Sequence, residues 1–133
     1  MQFNQLIVIT GKSGVYQLEG VRSNGAFVRA LKDDKREFVS SRQHMYTPLE
    51  NITIYTTSEA KPLRSVFQII DTLDAASIPD PKSDNSTLRS FFLTVLPDHD
   101  VEKVYASDIK KIITWFHILK ANAVSFEQAV EQA

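Results

Sequence analysis

Three groupings in this chain combine residue types that could do chemistry. Gly11-Lys12-Ser13 has the ending of a phosphate-binding loop, in which glycine N–H groups and the start of a following helix point at phosphate. That loop also needs an earlier glycine, where this chain has Leu6, and a helix where Val15 to Leu18 reads as a strand, so a simple glycine turn is expected instead. His44, His99 and His117 lie far apart, and Asp98-His99-Asp100 is the only local cluster of metal-ligand types. It reads as a solvated helix-start turn with Asp100 as cap, with opportunistic metal binding as the lesser alternative. Carboxylates fall where the backbone needs them: Asp33 and Asp34 at a hairpin tip, Asp71 and Asp74 at a helix end, Asp80, Asp84 and Asp108 at linkers or caps. There is no cysteine and no Gly-x-Ser-x-Gly elbow. No catalytic residue, metal site or cofactor is therefore assigned, and the expectation is a protein that is not an enzyme.

Binding is the remaining class. Arg22, Arg29, Lys32, Lys35, Arg36 and Arg42 come from neighbouring strands and turns, with Tyr16, Phe27, Phe38, Tyr46 and Tyr55 nearby, and form a candidate nucleic-acid surface. The charge argues for caution about polyanions. The 133 residues carry 15 Lys+Arg against 16 Asp+Glu, and a pI near 6.3 is far below the basic range of a dedicated nucleic-acid domain. The other candidate is apolar. In the segment Asp108 to Ala121, Ile109, Ile112, Ile113, Phe116 and Leu119 form one helical stripe, and Trp115 and Ile118 widen it past half the circumference. The first expectation for that edge is burial between other elements. The second is a patch that receives a protein partner or a second copy.

The elements that must position these residues change character near Thr57. Before it lie short apolar runs cut by turn signals: Val15 to Gly20, Ala26 to Leu31, Arg36 to Ser40 and Ile52 to Thr56. Leu6 to Thr10 fits a strand or a helical turn equally well. Asn24-Gly25 predicts a type I′ hairpin turn. After Thr57 the period becomes helical. Helices are expected from Pro62 to Asp74, after a cap at Ser83 or Asp84 up to Pro97, from Asp108 to Ala121 behind a Ser107-Asp108 cap, and from Ser125 through Val130. No apolar run approaches the roughly 20 residues that span a bilayer, so no membrane is expected.

Four blocks, Ile9 to Tyr16, Leu49 to Thr56, Pro62 to Phe67 and Val104 to Ile112, together resemble an uncharacterised bacterial family, a domain of unknown function. The resemblance implies an SH3-like barrel followed by a helical unit in a cytoplasmic protein, and it brings no activity with it. In longer members the chain continues into a low-complexity tail. The full expectation is an α+β protein: a small SH3-like antiparallel β-barrel over residues 1–57, followed by a bundle of three to four short helices over 58–133. Its expected role is a non-catalytic interaction module, with weak nucleic-acid binding by the barrel as the alternative.

Overall fold

The computed structural model describes residues 3–12, 14–124 and 126. Leu6–Ile9 is strand β1, which settles the ambiguous run as a strand. The others are β2 (Tyr16–Arg22), β3 (Gly25–Ala30), β4 (Arg36–Ser40) and β5 (Tyr46–Pro48), antiparallel in the order β4-β3-β2-β1-β5. In β1 every residue is apolar, as a strand covered on both faces requires. Leu6 joins the main core and Val8 packs against it, whereas Ile7 and Ile9 face a second, smaller cluster with Tyr16, Ala26, Val28, Ala30 and Val39.

The closed barrel expected over residues 1–57 is not formed. β4 and β5 are the two edges of the sheet and share no ladder. The reason is local: β5 is three residues long and ends on Pro48, which has no N–H to give. The sheet is strongly bent nonetheless. A register shift between Leu18 and Gly20 leaves Glu19 as an extra residue that sharpens the twist. The Tyr46 hydroxyl donates to the Val39 carbonyl oxygen, so a side chain from one edge reaches the backbone of the other.

Two further expectations are corrected here. Ile52 to Thr56 does not complete the sheet: β6 (Thr53–Ile54) pairs only with β7 (Lys61–Pro62) in a separate two-stranded ribbon. The Asn24-Gly25 turn is not type I′, because neither residue has a positive φ. The loop residues are Ser23 and Asn24, and Gly25 is already the first residue of β3, opposite Arg22 and Ser40.

The helices are α1 (Leu63–Asp71), α2 (Asn85–Val95) and α3 (Ala106–Ala121). Pro62 caps α1 rather than occupying its first position, and α1 stops short of Asp74, whose carboxylate instead accepts from the Ala76 N–H and caps a separate 3-10 turn. The cap expected at Ser107-Asp108 moves to Tyr105, whose N–H donates to the Asp108 carboxylate at 2.9 Å. The stretch from Ser125 through Val130 falls largely outside the described residues, so the last helix expected there is not described.

Asp84 does cap α2. Its carboxylate accepts from the Thr87 N–H at 2.9 Å and from the Ser86 hydroxyl at 3.2 Å. Hydrogen bonding from the Thr87 side chain and N–H, with Ser86, holds its pKa below the usual aspartate value. A carboxyl with a depressed folded pKa stabilises the fold above the ordinary aspartate pKa, and the contribution is lost as pH falls through the folded value. Asp84→Ala is therefore expected to lower the Tm at neutral pH and to flatten its fall on acidification. Thermal melts of both proteins from neutral to acidic pH check this, and parallel curves would refute the cap's role.

The main core draws on both halves of the chain. Phe3, Leu6, Val15, Leu31 and Leu49 are buried together with Leu63, Phe67, Phe92, Ile109, Ile113 and Phe116. Phe67 sits at the centre, with ring centroids of Phe3, Phe116 and Phe126 at 5.9, 6.1 and 5.4 Å. All five residues of the α3 stripe are buried.

Candidate functional site: the groove beside Trp115

On α3, Ser107, Lys111 and Trp115 follow one another at four-residue spacing and therefore stack along one face. Lys110 and Thr114 run beside them, the Thr114 hydroxyl donating to the Lys110 carbonyl oxygen at 2.8 Å. This face meets β1 and the turn that follows it. Gly11 and Gly14 hold that turn with φ of 83° and 86°, in the left-handed region where glycine has no steric cost. A Cβ on Gly14 would lie 4.0 Å from the Ile118 side chain, so α3 comes up against the turn itself. Gly11 and Lys12 thus belong to a turn between strands, as expected. Ser13 lies outside the described residues.

Trp115 and Ile118 are half-buried, each packed against the main core. Trp115 separates two depressions. One, of about 510 Å³, lies between β1 and α3 and is lined by Val8, Ile9, Lys12, Lys110, Lys111 and Trp115 among others. The other, of about 220 Å³, lies between β6 and α3, with Ile54, Lys103, Val104, Asp108, Lys111 and Trp115 in its wall. Ile118 faces elsewhere, into a depression shared with Lys32 and His117.

Four lysines and one carboxylate line the two depressions beside Trp115. Lys12 pairs with Glu37 at 2.9 Å, and this bond and charge raise its pKa. Among the described residues, no carboxylate pairs with Lys103, Lys110 or Lys111. Asp108 faces the groove, but its carboxylate is engaged by the Tyr105 N–H. The lysine Nζ of residue 103 lies 5.2 Å from the centre of the exposed Tyr55 ring.

The candidate nucleic-acid residues do not gather into one basic surface. Arg29 and Arg36 are cross-strand partners, and Glu19 at the bulge lies against both, at 3.7 and 2.9 Å. Arg29 is further engaged by Asp34 at 2.6 Å and by the Gln17 amide oxygen. Arg22 lies over the exposed Phe27 ring at 5.3 Å. Lys32 is near the C-terminal end of α3, apart from these, and Arg42 is in the turn after β4. The expected aromatics also divide: Phe27 and Phe38 form an exposed edge-to-face pair 5.1 Å apart, Tyr16 is buried, and Tyr55 belongs to the groove.

His99 overturns the expectation of a solvated turn. It is 3% exposed, its Nδ1 donates to the Leu96 carbonyl oxygen at 2.7 Å, and its ring meets Phe92 edge-on. The cause is long-range: the Thr57 and Asp100 N–H groups bond the Asp98 and Tyr55 carbonyl oxygens, clamping the turn onto the segment after β6. The carboxylates of Asp71, Asp74 and Asp80 are occupied by Lys120, the Ala76 N–H and the Lys82 N–H. Among the described residues, no three of His, Cys, Asp and Glu come together as a metal site, and no helix is long and apolar enough to cross a membrane.

The profile of a domain of unknown function, DUF6852, matches residues 52–119, from the start of the β6 ribbon through almost all of α3. The chain belongs to this family. It is also similar to a solution NMR structure of a protein from Bacteroides vulgatus determined by a structural genomics consortium. That likeness has 28% identity and a TM-score of 0.74, and it covers 98% of this chain and 99% of the other. No curated protein matches. The DUF6852 region supplies one side of the groove, Tyr55, Lys103, Lys111 and Trp115, while β1 and Lys12 come from outside it.

Proposed function

We propose that this DUF6852 protein is a non-catalytic interaction module that binds a protein partner in the groove beside Trp115. The observation that carries the reading is Trp115 itself, a large aromatic only partly buried between two mainly apolar depressions. Tryptophan is enriched among the few residues that dominate binding at protein interfaces. The engagement of the carboxylates as caps and ion pairs supports a non-catalytic role. The same reading takes the bent sheet, with β1 between β2 and β5, as an SH3-like barrel left unsealed, and places the protein in the cytoplasm. Nucleic-acid binding by the sheet is the weaker alternative, because Glu19 offsets the two arginines that do come together.

The test is site-specific photo-crosslinking of the full chain. A crosslinking residue placed at Lys110, on the groove, is expected to give a discrete protein adduct that is absent when it replaces the exposed Ser86 at the start of α2. Trp115→Ser should abolish the adduct while circular dichroism and the melting transition persist. Equal adducts from both positions, or none from Lys110, would overturn the reading.

A further inference from the structure

We infer that the groove beside Trp115 takes an extended peptide in which acidic and apolar side chains are interspersed. This rests on the interaction-module reading and adds the chemistry of the partner. The first ground is charge. Lys103, Lys110 and Lys111 stand at the depressions without an ion-pair partner among the described residues, and Lys12 stands there with its Glu37 pair. The same two depressions hold one carboxylate, Asp108, and it is engaged by the Tyr105 N–H. A rim left cationic in a protein whose net charge is -1 is a local feature, complementary to a locally acidic partner.

The second ground is the lining. Between the lysines the walls are Val8, Ile9, Ile54, Val104, Ile112 and the Trp115 ring. A phosphodiester backbone brings no aliphatic side chains to fill such depressions, whereas a peptide strand places successive side chains on opposite sides. The third ground is length. From Ser107 to Trp115 the helix face rises about 12 Å at 1.5 Å per residue, which about four residues of extended chain would cover. A peptide of about eight residues therefore runs past both depressions.

Trp115 is the only tryptophan in the chain, so its fluorescence reports on this one place. The full protein is titrated with synthetic peptides of about eight residues: glutamate with leucine, lysine with leucine, and glutamate with serine, and with a single-stranded oligothymidylate. The glutamate–leucine peptide is expected to shift or quench the emission saturably, and to bind at least about tenfold more tightly than the other three ligands. Added salt should weaken it, since exposed charges are screened beyond about 10 Å at 0.1 M. The double variant Lys110→Glu with Lys111→Glu changes two exposed side chains and should cost about tenfold in affinity with the melting temperature unchanged. A preference for the lysine–leucine peptide, or no effect of the double variant, overturns the acidic partner while leaving the groove reading intact. Tighter binding of the oligothymidylate overturns the peptide in favour of nucleic acid. Silence of Trp115 toward all four ligands overturns the proposed partner, and the crosslinking experiment then decides separately whether the groove reading falls with it.

Discussion

Residues 1–57 expressed alone are expected to be unfolded or aggregated, without a cooperative melting transition. Phe3, Leu6, Val15, Leu31 and Leu49 belong to that segment, yet each is almost completely buried in the core shared with the helices. At about 1.5–3 kcal/mol for each large apolar side chain returned to water, losing that cover costs on the order of 10 kcal/mol, comparable with the whole stability of a small domain. What would remain is the small cluster around Ile7, Ile9, Val28 and Val39, two of whose members are alanines, Ala26 and Ala30. Dispersed amide NMR signals and a sigmoidal melt from the fragment would show that the sheet is an independent unit.

Substituting Gly25 is expected to destabilise the protein by more than about 1 kcal/mol even when the new side chain is a single methyl group. A Cβ there would lie 2.3 Å from the Val39 carbonyl oxygen and 2.7 Å from the Phe38 ring. The ring can turn away, but the carbonyl belongs to the backbone of β4 and also accepts the Tyr46 hydroxyl. Relieving the clash pushes β4 from β3 and strains the contact that spans the two sheet edges. The cause can be separated from turn chemistry. If positive φ were the reason for glycine, Asn would be tolerated; if close approach is the reason, Gly25→Ala, Gly25→Asn and Gly25→Val are all destabilising, in rising order of size. Chemical denaturation of the three variants decides, and a near-neutral Gly25→Ala would refute the steric account.

The same glycine shows what could be read in the sequence and what could not. The dipeptide marked a hairpin at the right place, but the need for Gly25 arises from β4, whose register no local pattern reveals. The helical half was more legible. The α1, α2 and α3 core faces follow from spacing alone, because a helix displays its buried residues at fixed intervals. Boundaries shifted where a neighbour intervened, as when Asp108 became the partner of the Tyr105 N–H instead of the cap. His99 was misread because its burial is imposed by a distant segment. The groove was half legible: Trp115 stood out, and Ser107, Lys111 and Trp115 carried a helical period that could have been noticed. The arrival of Lys12 and Lys103 beside them depends on tertiary packing.

Strand β1 carries a consequence for how the chain reaches this fold. A one-residue slip normally turns a strand's apolar side chains toward water, which is how sheets reject wrong registers. Leu6-Ile7-Val8-Ile9 is apolar at every position, so a slipped β1 still presents grease to both clusters and the error is penalised only by shape and by backbone pairing. The strand must also wait for a distant neighbour, since Ile7 pairs with Pro48 after the β2-β3-β4 hairpins have come between them in the chain. Local hairpins close quickly and long-range pairings late. β1 has β2 as its local partner, so the docking of β5 onto β1 is the pairing expected last, and it inherits whatever register β1 has taken.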